Sequence, residues 1–323
     1  MSGNYVTETV LGDAQGIARA AQILSDGGLV AVPTETVYGL AARADSDEAV
    51  ARIYKAKGRP SFNPLIVHVR DAAQARAFAQ LDGAAAVLAE KEWPGPLTLV
   101  VPLTGPRTLA AAVTAGLPTV AVRVPSHPVM RKLLQTVAFP LAAPSANRSG
   151  FVSPTTAAHV LASLDRKIDL VLDGGPTADG VESTILGFRD DRHWVVLRPG
   201  PVSPQSLNDV YIDPHDPVVI EHGSKEIEAP GQLASHYAPG KPVRLNAMKV
   251  APDDFFIGFG AISGDCTLSA SGDVNEAAAR LYACLHDGAA SPKPRIAIAP
   301  VPEEGVGIAI NDRLRRAATP SGR

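Results

Sequence analysis

Asp26-Gly27-Gly28-Leu29-Val30-Ala31-Val32-Pro33-Thr34-Glu35-Thr36-Val37-Tyr38-Gly39-Leu40 is the stretch whose reading decides the fold class. Upstream, Ile17, Ala20, Ala21 and Leu24 recur at helical spacing between Asp13 and Asp26, and Gly27-Gly28 stops that helix. Leu29 to Val32 is apolar throughout, as a strand buried on both faces must be, and it runs into Pro33. Helix, glycine stop and buried strand in immediate succession mark a layered α/β chain. The alternation continues downstream. Ser46 is placed to cap a second helix that runs to about Lys57, with Glu48 near its positive end and Lys55 and Lys57 near its negative one. A strand is expected over 64–69 and β-rich runs over 97–103, 119–124, 169–172, 183–188 and 194–197. Helices are expected around 83–92, 127–136 and 155–164. The reading is one α/β domain over residues 1–205 with a mixed, twisted sheet.

From Pro199 onward the texture changes. Pro201, Pro204, Pro214, Pro217, Pro230 and Pro239 punctuate a stretch with little periodicity, which reads as an interdomain linker over 206–240. Strands at 243–245, 255–258 and 295–298, with helices at 273–287 and 308–318, then give a small βα domain over 241–323. The 323 residues, 46% hydrophobic and 5% aromatic, can bury two such cores. The first residues lack a basic-then-apolar leader, and no apolar run approaches the roughly 18 residues of a membrane span; a cytoplasmic protein with no membrane contact is expected. Cys266 and Cys284 are far apart and near no histidine cluster, so reduced core thiols are expected and a disulfide is not.

Charge is the first functional clue. No acid lies between Glu48 and Asp71, where Arg52, Lys55, Lys57, Arg59 and Arg70 occur. None lies between Glu92 and Asp165 either, where Arg107, Arg123, Arg131, Lys132 and Arg148 occur. Residues 1–210 are nonetheless neutral overall, so acids are excluded from particular stretches. That pattern fits a cleft held positive for an anion such as a nucleotide; solvated helix faces are the competing account.

Several segments carry chemistry. Thr34, Glu35, Thr36 and Tyr38 put hydroxyls, a carboxylate and a phenol directly after a buried strand, where a small ligand can be lined or a turn merely capped. Lys57-Gly58-Arg59-Pro60 places two cations close enough to reach one phosphate chain, although it can equally neutralise a helix C-terminus. His68 follows the apolar Leu65-Ile66-Val67 and can be structural. Arg123 stands inside the apolar run Val120 to Val124, and a buried guanidinium requires an anionic partner; a ligand carboxylate and a distant Glu both qualify. Ser145 and Asn147 offer donors at alternate positions of a loop of small residues. Ser153-Pro154-Thr155 is expected to open the next helix, whose N-terminus suits an anion. Arg198 ends the domain with a cation. Glycine-rich phosphate loops, dinucleotide fingerprints, nucleophile elbows and His/Cys metal sets are absent from the sequence.

In order, PTETVYGL (33–40), KGRPSFNPLIVH (57–68), WPGPLTLV (93–100), VAVRVP (120–125), APSANRSG (143–150) and GVESTI (180–185) resemble the YrdC-type threonylcarbamoyl-AMP synthase family in its long form. Ser235-His236-Tyr237-Ala238-Pro239 resembles its linker motif, and residues 305–318 resemble the end of its second domain. The resemblance implies a YrdC-like domain followed by a linker and a small Rossmann-like domain. It implies a nucleotidyltransferase that converts L-threonine, bicarbonate and ATP, with Mg²⁺, to threonylcarbamoyl-AMP and pyrophosphate. A downstream transferase then moves the threonylcarbamoyl group to a tRNA adenosine. Thr36, His68, Arg123, Ala143 and Ser183 would hold threonine. Lys57, Arg59, Asn63, Thr119, Ser145, Asn147, Ser153, Arg198 and Tyr237 would hold ATP, with Lys57, Arg59, Ser145 and Asn147 forming the family's catalytic tetrad. Gln232-Leu233-Ala234 departs from the Met-Lys-Tyr of many relatives, which bears on how the linker closes. Two further readings remain open: a module that holds double-stranded RNA or tRNA without chemistry, and a carbamoyl-transfer enzyme with another acceptor.

Overall fold

Residues 29–32 sit at the centre of the fold because their two faces meet two different cores. In the computed structural model, which describes residues 6–105, 108–203, 219–223 and 227–320, Leu29 and Ala31 face one apolar cluster while Val30 and Val32 face another. The chain runs β1 (Glu8–Leu11), α1 (Ala14–Ser25), β2 (Val30–Pro33), β3 (Tyr38–Arg43), α2 (Asp47–Lys57), β4 (Ile66–His68), α3 (Ala72–Ala75), α4 (Gly83–Glu92), β5 (Leu97–Pro102), β6 (Thr119–Arg123), α5 (Pro128–Thr136), β7 (Leu141–Ala142), α6 (Ala157–Leu164), β8 (Leu170–Asp173), β9 (Thr184–Phe188) and β10 (His193–Arg198). Then follow β11 (Val219–His222), β12 (Val243–Arg244), β13 (Asp254–Gly258), β14 (Cys266–Thr267), α7 (Val274–Ala290), β15 (Arg295–Ile298) and α8 (Gly307–Ala318).

Among the described residues, eleven strands form one mixed sheet in the order β1-β8-β2-β3-β7-β4-β6-β5-β9-β10-β11. Apolar residues of α2, α4 and α6 cover one face along most of its width. On the other face, α1 and α5 cover only the half built from β8, β2, β3 and β7. The remaining half presents Ile66, Val100, Ala121, Ile185, Val195 and Leu197, and the residue that closes this cluster is Ala229, well beyond α6 in the chain. A half-covered sheet leaves a cleft, and the chain after residue 227 lies across it.

The local signals hold at most expected elements. Ser46 accepts from the Ala49 amide, and Gly58 ends α2 in the left-handed region at φ 60°. Three readings change. Tyr38–Arg43 is a strand, paired antiparallel with β2 around the turn Thr34–Val37. The helix expected from Ser153 begins at Ala157, because Thr156 supplies the capping oxygen to the His159 amide. Val219–His222, inside the expected linker, joins the sheet beside β10; residues 206–218 and 224–226 of that linker, and Arg107, fall outside the described residues.

The second sheet is parallel throughout, in the order β12-β15-β13-β14, with α7 and α8 packed against it. Its core extends into the first domain through Val37, Val152, Val181 and Tyr237. Cys266 and Cys284, expected as free thiols, are disulfide-bonded: β14 packs on α7 and sets their Cα atoms 6.0 Å apart, a proximity that a separation of 18 residues does not reveal.

Gly180 sits at this junction with φ +71°, and a Cβ there would lie 2.3 Å from the Ala278 carbonyl oxygen and 2.4 Å from the Ala279 Cα. Neither atom can yield without moving α7. Gly180→Ala is therefore expected to destabilise the protein by about 1–3 kcal/mol, read as a lowered urea midpoint. A midpoint equal to the parent's would show that the two domains shift apart freely.

Candidate functional site

Strand ends build the cleft. His68 and Arg123 are the last residues of β4 and β6 and stand in register on these parallel neighbours. The β2–β3 turn brings Thr34 and Thr36 to the same place, the loop after β7 brings Ala143, Pro144 and Ser145, and β10 ends on Arg198. Glu182 and the stretch Pro230-Gly231 with His236 and Tyr237 close the other side around about 530 Å³ of space, part of it open to solvent. Gly39 lets the loop approach, since a Cβ there would already touch Ala143 at 3.3 Å. Backbone bonds from Leu40 N to Pro144 O and from Ala146 N to Tyr38 O tie that loop to β3.

Arg123 resolves the partner question left open by the sequence. Its Nη2 pairs with Glu35 Oε1 at 2.7 Å, its Nη1 donates to Thr36 Oγ1 at 3.1 Å and its Nε donates to Gly95 O at 3.2 Å. The required anion is thus resident, and a ligand carboxylate would use the guanidinium's remaining N–H groups. Burial opposes ionisation of Glu35, but Arg123 holds its carboxyl below the usual range. Thr34 Oγ1 bonds Thr36 Oγ1 at 2.9 Å and the Val37 carbonyl at 2.6 Å, which fixes the turn.

The other cations face neutral acceptors. Arg59 donates to Asn63 O, Asn63 Oδ1 and Pro64 O, and burial lowers its guanidinium to about 10, still cationic at neutral pH. Arg198 donates to Ser183 O, Ser183 Oγ and Pro230 O. Lys57 Nζ donates to the carbonyls of Ser145 and Asn147, and burial, then Arg59, pushes its pKa well down. Among the described residues no carboxylate lies within ion-pair distance of Lys57, Arg59 or Arg198; Glu182 acts on Arg198 from further off and is bonded to Arg313. His68 has an unpartnered Nδ1, and burial followed by Arg123 lowers its pKa to about 3, so its imidazole is neutral.

The structure gathers the expected residues unevenly. Thr36, Arg59, His68, Arg123, Ala143, Ser145, Arg198 and Tyr237 line the cleft. Lys57, Asn63 and Ser183 stand behind that wall, bonded to residues that form it. Asn147 turns its amide toward Arg148 O and Phe151 O, leaving its Oδ1 unpartnered. Ser153 Oγ donates to Glu182 Oε1 at 2.6 Å, and Thr119 lies at the opposite end of β6 from Arg123. The sequence marked Glu35 only as a carboxylate that could line a small-ligand pocket, and gave no separate role to Glu182 or Arg313. The first two stood inside quoted motifs, and a buried arginine with no nearby acid was the signal that should have pointed to Glu35.

A family described as "telomere recombination", the Sua5/YciO/YrdC group, matches residues 22–200, and one described as "threonylcarbamoyl-AMP synthase, C-terminal domain" matches residues 202–319. The threonylcarbamoyl-AMP synthase of Bacillus subtilis is 40% identical over 337 residues, 97% of this chain and 96% of the relative. This chain belongs to the threonylcarbamoyl-AMP synthase family. The synthase of Pyrococcus abyssi is 38% identical, covering 93% of each chain. The crystal structure of P. abyssi Sua5 complexed with L-threonine superposes with a TM-score of 0.85 at 35% identity, covering 97% of each chain. It is a long-form synthase with two domains. A putative synthase of Mycobacterium tuberculosis, 36% identical, matches 61% of this chain and 89% of its own length, and so represents a shorter form. Among the described residues of this synthase, no helix is long and apolar enough to cross a membrane.

His68 gives a pH test. Its folded pKa lies below the unfolded value of 6.5, so the unfolded state binds the extra proton and stability falls as pH drops from 6.5 toward 3. His68→Gln is expected to flatten that slope by up to about 1.4 kcal/mol per pH unit, leaving the share contributed by His236 and His286, also depressed. Urea titrations across this window check it; an unaltered slope means that His68 titrates normally.

Proposed function

We propose that the cleft joins L-threonine, bicarbonate and ATP into threonylcarbamoyl-AMP with release of pyrophosphate, the first step of a tRNA adenosine modification in the cytoplasm. Carrying this reading is the placing of Arg59 and Arg198 on the wall of one enclosed space, with Lys57 behind it and no carboxylate within ion-pair distance of any of the three. Buried cations without carboxylates are stabilised when an anion arrives, and triphosphate is such an anion.

Threonine's carboxylate is placed at the free N–H groups of Arg123, beside Thr36, Ala143 and Ser145. Neutral His68 accepts or donates a hydrogen bond there without adding charge. Bicarbonate takes up a proton and loses water to give carbon dioxide, the neutral amine adds to it with release of a proton, and the carbamate oxygen then attacks the α-phosphorus in line as pyrophosphate leaves. Such a transfer needs alignment and charge stabilisation more than a protein nucleophile. Arg59 and Arg198 meet the developing negative charge, while Lys57 holds the Ser145–Asn147 backbone in place. Glu182 on the cleft wall and Glu35 beside Arg123 are both committed to arginines, and no metal-binding cluster of His, Cys, Asp or Glu occurs among the described residues. Mg²⁺ would accompany ATP and offset charge on its phosphates. Asn63, Asn147 and Ser153 reach the nucleotide only if the loops around them open, whereas Thr119, at the far end of β6, lies away from the cleft. A separate transferase consumes the mixed anhydride, and Tyr237 over the cleft keeps water from it.

The deciding assay incubates the chain with ATP, bicarbonate and each amino acid in turn and scores pyrophosphate and acyl-AMP. Threonine-selective pyrophosphate release is expected; an equal signal without amino acid points to another carbamoyl acceptor, and salt-sensitive RNA binding with no turnover points to a non-catalytic module. Arg59→Ala is expected to lower kcat/KM by about 10²–10³ while thermal melting remains cooperative. A collapsed melting transition would make Arg59 structural.

A further inference from the structure

The last helix carries a charge where its pattern calls for an apolar residue. Ala309, Ile310, Arg313, Leu314 and Ala317 form the buried stripe of α8, and Arg313 is 0% exposed. A guanidinium in that position needs anions around it. One is Asp312, at 2.9 Å. The other comes from the first domain: Arg313 Nε donates to Glu182 Oε2 at 3.0 Å, and Glu182 is a wall of the cleft.

Glu182 is fully used. Its Oε1 accepts from Ser153 Oγ at 2.6 Å, and its Oε2 also accepts from Tyr282 OH, on α7, at 2.7 Å. Burial opposes its charge, yet Arg313 and Arg198 hold its pKa down to about 2. The same Arg313 guanidinium lies 5.5 Å from the centroid of the Tyr237 ring, which stacks on Tyr282 at 5.7 Å. Tyr237 is held in the left-handed region at φ 61° and is 1% exposed, a backbone state that neighbours must enforce.

A second arm grips the same segment. Asp312 also pairs with Arg316 at 3.1 Å, and Arg316 Nη1 donates to Leu233 O at 2.7 Å. His236 N donates to Arg316 O, and Ser235 Oγ donates to Thr319 O. Residues 233 to 237 thus meet α8 or its end at nearly every position. Leu233 takes part through its carbonyl, so an unusual side chain there leaves the bond intact.

We propose that Arg313 is a positioning residue for the nucleotide half of the reaction: through Glu182 and Tyr237 it makes the second domain hold the segment 230–237 over the cleft. This rests on the reading that the cleft takes ATP. A pair serving only as glue would be replaceable by apolar residues of similar volume; a pair with one end on the cleft wall and the other under the covering tyrosine would not. The threonine pocket, built by Thr36, Arg123 and Ala143 from the first domain, is independent of it.

The test uses the full chain with Arg313→Lys, which keeps charge and length but loses the planar fork, and Glu182→Gln/Arg313→Met, which removes both charges and serves where a lone buried charge prevents folding. Expected in both is a KM for ATP raised about tenfold or more with KM for threonine changed less than about threefold. Amide exchange over 229–238 should quicken while β2 and β6 keep their protection. Unchanged KM for ATP and unchanged exchange overturn the proposal. So does a parallel rise of both KM values with faster exchange everywhere, which would make the pair general scaffolding. A parent chain with no threonine-dependent turnover would instead defeat the function reading, leaving the exchange result to decide on Arg313.

Discussion

A carboxylate buried between two domains governs the arrangement of this protein. Glu182 lies just before β9 in the first domain, yet two of its partners, Tyr282 and Arg313, belong to the second. Removing any one leaves charge or a polar group in a dry interior, at a cost far larger than the bond's own contribution. The two sheets are therefore fixed to each other at the point where the cleft wall, the covering segment and both helices of the second domain meet. Gly180, two residues earlier, permits the close approach of α7 that this meeting requires.

The first domain reaches its cleft by leaving a sheet half covered. On this face α1 and α5 protect one end of the sheet, and among the described residues no helix packs on the strands that end in His68, Arg123 and Arg198. Cations gather there because strands β4, β6 and β10 terminate together, although 130 residues separate His68 from Arg198. Among the cleft cations Arg123 has an acid at ion-pair distance and Arg59 and Arg198 do not, and that asymmetry separates the cleft into a pocket of fixed geometry around Thr36 and a region where neutral acceptors hold Arg59 and Arg198. Two substrates of different charge fit this division.

A shorter relative, matched over 61% of this chain, carries the name putative threonylcarbamoyl-AMP synthase. What the second domain adds to this chain is sought in what it touches. It touches the covering segment, through Arg313, Arg316 and Thr319. Enclosure matters for a carbamoyl phosphate anhydride because water competes with the intended acceptor.

Much of this was legible in the chain itself. Helical spacing from Ile17 to Leu24 and the unbroken apolar run at 29–32 specified α1 and β2, and Ser46 and Gly58 bounded α2, because caps and periodicity are local properties. Segment order identified the family, and the acid-free stretches supplied Lys57, Arg59 and Arg123. Tyr38–Arg43 was hidden as a strand because its hydroxyl-rich approach reads as a loop until β7 pairs with it. Cys266 and Cys284 were separated by distance along the chain and joined by the packing of β14 on α7. The acid that neutralises Arg123, the loop carbonyls that occupy Lys57 and the arginine that reaches Glu182 from 131 residues away were decided only by the tertiary structure. Burial creates the need for a partner at one position, and topology alone chooses which distant residue meets it.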